Sequence, residues 1–197
     1  MISLAKSFVI EGPDRTGKQT QTNLLVDKLR KDGNKVALVE VPFNDYLTYP
    51  LIYWMLRNGL AKTLPNTFQF MQFLNKFLFQ ILVLPFLLLK NDYVVFDRWA
   101  LSAIVYGNCG GANKMFVNFL DCFLFSPRGM VVLCGKSHVQ GTEDVYELDT
   151  DFQGQVREYY KIIAADYHAC ERVNANQTRE KVHADIVKYF DFYCKGV

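Results

Sequence analysis

Phe8-Val9-Ile10-Glu11-Gly12-Pro13-Asp14-Arg15-Thr16-Gly17-Lys18-Gln19-Thr20 carries a short apolar strand into a glycine-bracketed turn that ends on lysine. The spacing from Gly12 to Gly17 and Lys18 is that of a phosphate-binding loop, in which backbone N–H groups curl around phosphate oxygens and the lysine reaches the outermost ones. Gln19 to Lys31 reads as a helix whose positive end faces the same point. An ordinary tight strand-to-helix turn shares the bare spacing. The apolar strand before it and the amphipathic helix after it favour phosphate binding.

The position after the lysine is usually Ser or Thr, whose hydroxyl ligates Mg²⁺, and here it is Gln19. Thr20 comes one residue late, which on a helix turns its hydroxyl about 100° from the expected direction. Either Gln19 offers its amide oxygen to the metal or other groups hold it.

The chain has 197 residues, half of them apolar, and no Ser-, Pro- or Gly-rich linker divides it, so one α/β domain is expected. A formal net charge of +2 favours a small anion gripped by a few placed cations over a nucleic-acid polymer. Five cysteines and three histidines are scattered without a C-x-x-C pair. That pattern argues against zinc and against a disulfide framework, and places the chain in a reducing compartment, the cytoplasm. Met1 to Ser7 is too short and polar for a secretory signal. The apolar run Phe77 to Leu89 falls short of the ~20 residues that span a bilayer and contains Gln80 and Pro85, so no membrane is expected.

Strands and helices alternate, which calls for a parallel sheet covered on both faces. The strands are predicted at Phe8 to Glu11, Val36 to Val41, Tyr93 to Asp97 and Met130 to Cys134, with a weaker fifth at Glu171 to Ala175. Helices are predicted over Lys18 to Lys31, Tyr49 to Asn58, Thr67 to Leu89, Phe116 to Leu124, Phe152 to Ala169 and Arg179 to Phe190. Ligands of such sheets bind beyond the carboxyl ends of the strands, so Gly12, Pro42, Asp97 and Gly135 should border one crevice.

On the long helix, Gln69, Gln72, Asn75, Lys76 and Gln80 recur at spacings of three or four and draw a polar stripe. A solvated face is one reading, and covers Gln80. A stripe of amides with one lysine also suits a hydrogen-bonding wall for a base. Asp97, at the end of an apolar strand, suits Mg²⁺ or its water shell, and Arg98 can hold a second phosphate. Ser102 and Tyr106 share a helical face, pointing at one ligand or simply packing.

These features together resemble the thymidylate kinase family across nearly the whole chain. The likeness rests on E-G-P-D-R-T-G-K, Pro42, Asn75-Lys76, and Asp97-Arg98-Trp99 followed by Ser102 and Tyr106. It continues through Val145-Tyr146-Glu147, Glu158-Tyr159-Tyr160, Val173-Asn174-Ala175 and Val182-His183-Ala184-Asp185-Ile186. The resemblance implies a three-layer P-loop NTPase fold with a five-stranded parallel sheet flanked by helices. It implies a single nucleoside monophosphate kinase domain over 1–197, with a short lid at about 135–150. The reaction implied is Mg²⁺-assisted phosphoryl transfer from ATP to a deoxynucleoside monophosphate, dTMP. A homodimer is expected as well, because the Thr67 to Leu89 helix is apolar on more faces than a monomer of this size covers.

Site roles follow from the same resemblance. Gly12, Pro13, Arg15, Thr16, Gly17, Lys18, Gln19 and Thr20 would bind ATP, joined by Asn174. Asp14, Phe43, Gln72, Phe73, Lys76, Arg98, Ser102, Tyr106 and Tyr146 would bind the acceptor, with Tyr146 crowding the 2′ side of the sugar and so favouring deoxyribose. Gln19 and Asp97 would hold the metal. Asp14, Arg15, Lys18, Asp97 and Arg98 would carry the chemistry, with Arg15 at the transferring phosphoryl group and Arg98 on the acceptor phosphate. Family members place the catalytic arginine either in the loop or in the lid; this chain has Arg15 in the loop and only Lys136 between Gly135 and Thr142.

Three departures stand out. Pro42 is followed by Phe43 and Asn44 where the family commonly has Pro-x-Arg. Lys76 stands where an arginine usually meets the thymine carbonyl, and Gln72 where an aromatic stacks on the base. Lysine is a point donor without the planar fork of arginine, so the base is not fixed by inheritance. The alternatives are a kinase for another or a 5-modified deoxynucleoside monophosphate, and a catalytically weakened nucleotide-binding protein.

Overall fold

A computed structural model describes residues 6–135, 150–167 and 169–196. Its sheet has five strands, β1 (Ser7–Glu11), β2 (Val36–Glu40), β3 (Tyr93–Asp97), β4 (Gly129–Cys134) and β5 (Cys170–Asn174), in the order β2-β3-β1-β4-β5. Every pairing is parallel. A parallel sheet must be covered on both faces, and its inner strands are accordingly apolar runs without a polar side.

Alternate residues feed two cores. Phe8, Ile10, Val95, Val131 and Leu133 pack under helices α1 (Lys18–Lys31) and, near the C-terminus, Arg179–Phe190. Val9, Val94, Phe96, Met130 and Val132 face the opposite layer, which brings Phe79, Trp99, Leu101 and Tyr160 against the sheet. The helices between are α2 (Tyr49–Arg57), α3 (Leu60–Thr63), α4 (Pro65–Leu82), α5 (Leu84–Lys90), α6 (Ala100–Cys109), α7 (Lys114–Asp121) and α8 (Thr150–Asp166); Arg179–Phe190 is α9.

The strand expectations hold to within a residue at either end, and Lys18 to Lys31 and Arg179 to Phe190 match in full. The long helix differs. Instead of one helix over Thr67 to Leu89 there are two, α4 and α5, meeting at 44°. Pro85 has no N–H to give the carbonyl of Ile81, and its ring clashes with it, so the helix breaks at Val83 and restarts. No single described helix is long and apolar enough to cross a membrane; only the bent α4–α5 pair passes by length and composition.

The register sets the site. Ile10 and Glu40 both lie opposite Asp97, so the carboxyl ends of β1, β2 and β3 finish together beneath the Gly12 to Gly17 loop.

Candidate active site

Gly12 begins the loop at φ 142°, and a Cβ there would sit 2.7 Å from the carbonyl oxygen of Leu133; only glycine brings the chain this close to β4. Gly17, at φ 87°, caps α1, and no side chain caps that helix end and no acid sits in its first turn. The uncapped N–H groups are those that bind anions. The buried Lys18 Nζ donates to the carbonyl of Pro13 at 2.5 Å, and the Thr16 hydroxyl donates to the same oxygen at 2.9 Å. Burial and the neighbouring Arg98 guanidinium push the Lys18 ammonium down to about 7, against the opposing pull of Asp14, Asp97 and Glu11. Arg15 is held in the left-handed region at φ 62°.

A cleft of about 460 Å³ opens beside this loop, lined by Arg15, Gly17, Lys18, Gln19, Thr20, Glu40, Val41, Asp97 and Arg98. Gln19 and Thr20 are both exposed to it. Asp97 has its carboxyl pushed up by burial and by Glu11 and Glu40, with Arg98 and Lys18 pulling the other way. It is thus an acid crowded by acids, where added positive charge is stabilising.

Arg98, another left-handed residue at φ 69°, borders this cleft and also a deep pocket of about 200 Å³. Its guanidinium forms an ion pair with Asp14 and lies 5.3 Å over the ring of Tyr106. Asp14 also accepts from the Tyr106 hydroxyl at 2.7 Å and from the Gln153 amide at 3.3 Å. Burial opposes the Asp14 charge, yet Arg98, Lys18 and these two donors outweigh it and hold the carboxyl below its ordinary value.

Beneath this pair lies fully buried Glu11. One of its oxygens accepts from the backbone N–H of Trp99 at 2.6 Å and of Ser102 at 3.2 Å, and the other from the Tyr160 hydroxyl at 3.0 Å. The carboxylate therefore caps α6 and fixes the segment carrying Arg98, Ser102 and Tyr106.

Away from Arg98, the deep pocket is walled by Gln69, Gln72 and Lys76 of α4, with Pro42, Phe68, Ala103 and Gly107 around them. The Val41–Pro42 peptide is cis. Lys76 is buried, and its ammonium has one long contact, 3.5 Å to the carbonyl of Gln72. Burial brings it down to about 8, with Glu11 and Asp121 acting to raise it and Arg98 to lower it. Asp121, reached through a water-sized cavity behind the pocket, is pushed up by burial to about 6.

Of the residues singled out in the sequence, Arg15, Gly17, Lys18, Gln19, Thr20, Asp97 and Arg98 meet at the loop cleft, while Asp14, Gln72, Lys76, Arg98, Ser102 and Tyr106 meet at the deep pocket. Pro42 borders the deep pocket and Asp97 the loop cleft, which adjoin at Val41 and Arg98, whereas Gly135 packs against Ala175 and Asn176. Among the described residues lining either cleft, Phe43, Phe73 and Asn174 do not occur. Phe43 packs 4.7 Å from Phe79 on the core. Phe73 stacks on Phe77 at 5.4 Å and borders the small rear cavity rather than either cleft. Asn174 accepts from the backbone of Asn176 at 3.0 Å. Asn75 is not a wall for a ligand: it bonds both backbone groups of Phe43, Asp45 at 2.7 Å and Thr48 at 2.8 Å, pinning the segment after β2. Lys136, Tyr146 and most of the expected lid lie outside the described residues.

Sequence reasoning missed Glu11, Glu40, Gln153 and Tyr160. Glu11 and Glu40 carried a signal, each being an acid closing an apolar strand, while Gln153 and Tyr160 become visible only once α8 is docked.

The family model described as thymidylate kinase matches residues 10–186. A thymidylate kinase of Plasmodium falciparum is 29% identical over 193 residues, covering 93% of this chain and 88% of that protein. A probable thymidylate kinase of Thermococcus gammatolerans is 27% identical over 194 residues, covering 91% and 92%. The solved structure of thymidylate kinase from Candida albicans superposes with a TM-score of 0.77 at 22% identity, covering 94% of this chain and 91% of the other, which shows the shared fold.

Proposed function

This chain belongs to the thymidylate kinase family, and we propose that its two clefts hold the two substrates of an ATP-dependent phosphorylation of dTMP to dTDP. One observation carries the assignment: Arg98 borders both clefts while paired to Asp14, so a donor on the loop and an acceptor in the deep pocket would meet at one cation. The alternative of a weakened nucleotide binder is not favoured.

Transfer joins two polyanions, so the protein's task is to offset their repulsion and align attacking and leaving oxygens. In the proposed arrangement the α1 N-terminus and Lys18 hold the outer phosphates of ATP, Lys18 exchanging its bond to Pro13 for one to phosphate. Arg15 reaches the γ-phosphoryl group, and Arg98 holds the acceptor phosphate. An acceptor oxygen attacks the γ-phosphorus, the bond to the β–γ bridging oxygen breaks, and ADP leaves with that electron pair. The acceptor is already anionic, so no general base is required. Asp14, kept ionised, holds Arg98 in place.

Asp97 and Gln19 would hold Mg²⁺, and their shared cleft and the crowding of acids at Asp97 support that fit. Among the described residues no group of His, Cys, Asp and Glu forms a metal site by itself, so nucleotide phosphates and water would supply the remaining ligands. Bound there, the ion supplies neutralisation of phosphate charge.

The chain is proposed to act as one domain and to pair as a homodimer. The exposed Phe70, Ile81, Leu82, Phe86 and Leu89 along α4 and α5 support the pairing. Free cysteines support a cytoplasmic setting.

A bisubstrate ligand, adenosine and thymidine joined 5′ to 5′ by five phosphates, tests the two-cleft reading in calorimetry. It should bind more tightly than ATP or dTMP and be displaced by each. Displacement by only one of them would contradict the reading.

A further inference from the structure

Tyr160 of α8 is fully buried and is not among the described residues that line either cleft, so whatever it does for a bound substrate it does through a neighbour. Its hydroxyl stands between two charged groups, 3.0 Å from Glu11 Oε2 and 3.5 Å from Arg98 Nη1. Chemistry fixes the direction of both bonds. A guanidinium has donors and no acceptor, so the hydroxyl accepts from Arg98 and gives its one proton to the Glu11 carboxylate. Burial, with Glu11 and Tyr106, pushes the phenol well above its ordinary value against the pull of Arg98, and the proton stays where the bond to Glu11 needs it.

Glu11 and Tyr160 together hold Arg98 by its main chain and by its side chain. The Arg98 backbone lies in the left-handed region at φ 69°, which a residue with a side chain adopts only when its surroundings impose it. Its own N–H donates to the carbonyl of Ile10 at 3.0 Å, and the next, that of Trp99, donates to Glu11 Oε1 at 2.6 Å. The other oxygen of the same carboxylate holds the hydroxyl that receives the guanidinium. Asp14 takes Arg98 Nη2 and Tyr160 takes Nη1, so the planar fork is tied at both of its outer nitrogens. Each of those nitrogens carries a second N–H, which remains for phosphate oxygens.

We propose that Tyr160 is a positioning residue for the acceptor phosphate, acting through Arg98, whose guanidinium it holds in the plane that Asp14 alone would leave free to turn. The proposal rests on the reading of Arg98 given above. Alignment of attacking and leaving oxygens is what this reaction asks of the protein, and a cation displaced by a fraction of its length no longer provides it.

Titration calorimetry with dTMP, thymidine and ATP tests this on the unmodified enzyme, Tyr160→Phe, Arg98→Ala and the double variant, with thermal melting to verify folding. Tyr160→Phe keeps the buried ring and removes only the hydroxyl. It should raise the Kd for dTMP ~5- to 10-fold, the worth of one bond to a charged group at this length. The Kd for ATP, and that for thymidine, which has no phosphate to meet Arg98, should stay unchanged. In an Arg98→Ala background, Tyr160→Phe should alter dTMP binding by less than about 2-fold, because the group it acts through is gone. Tyr160→Met, whose flexible chain fills the same space without a hydroxyl, serves where Tyr160→Phe folds poorly and should give the same selective loss. Equal weakening of dTMP and thymidine, unchanged dTMP binding in a folded variant, or additive effects of the two substitutions would make Tyr160 a packing residue and overturn the inference alone. An Arg98→Ala enzyme that binds dTMP as tightly as the unmodified one would overturn the acceptor-phosphate reading beneath it.

Discussion

Arg98, which together with Val41 lines both the loop cleft and the deep pocket, is ion-paired to Asp14 on the deep-pocket side. Each is partly buried, and each has further partners: Tyr106 and Gln153 for Asp14, and the Tyr160 hydroxyl at 3.5 Å for Arg98. The pair therefore presents a fixed cation, oriented before any substrate arrives.

Arg98→Ala should raise the KM for the acceptor ~10²-fold or more, with far less effect on ATP, because it removes a charge-assisted contact to the acceptor phosphate and leaves Asp14 as an unpaired acid facing an anion. Separate binding titrations with dTMP and with ATP measure this. Equal weakening of both would place Arg98 elsewhere in the reaction.

Glu11→Gln should lower stability by about 1–3 kcal/mol, since the neutral amide is a weaker cap for α6 and loses a charged acceptor for Tyr160. Urea unfolding followed by circular dichroism gives the value. An unchanged midpoint would mean that the backbone N–H groups of Trp99 and Ser102 gain nothing from the charge.

The alternation of strand and helix, the loop and the Asp97-Arg98 pair were legible because they depend on local sequence: apolar runs, glycine positions and motif spacing. What was not legible depends on docking. Pro85 signals a break, but the apolar pattern continues across it, so two helices read as one. Asn75 looked like a ligand contact because its type and spacing match those of Gln72, and only the fold shows that the segment Phe43 to Thr48 lies over it. Phe73 stands next to Gln72 in sequence yet points to the rear cavity, as one step along a helix turns a side chain by about 100°. Tyr160 is distant from Glu11 in sequence, and nothing in either segment announces the contact.

With Lys76 proposed to meet the acceptor, acceptor binding should depend on pH. Its ammonium, lowered to about 8 by burial, is charged below that value and progressively neutral above it. A carbonyl of the base favours the charged form, so the Kd for dTMP should be flat near pH 7 and rise as pH passes 8, by up to ~10-fold per unit if only the charged form binds. Lys76→Arg stays charged throughout and should flatten the profile. A profile that rises identically in Lys76→Arg would assign the titration to another group.

Gln19→Leu should raise the Mg²⁺ concentration for half-maximal activity several-fold, while Gln19→Thr should hold or lower it by restoring a hydroxyl at the start of α1. Metal titrations of both variants at fixed ATP measure the effect. An unaltered requirement in Gln19→Leu would leave the metal to Asp97 and the phosphates.

ADP release from ATP, followed in a coupled assay with dTMP added last, tests the central claim most directly, with Arg15→Ala and Lys18→Ala run beside the unmodified enzyme. Release that begins only on adding dTMP, matches the dTDP formed, and falls by ~10³-fold in each variant is the predicted result. ADP release that proceeds without dTMP, or dTDP formation undiminished in Arg15→Ala and Lys18→Ala, would contradict the account.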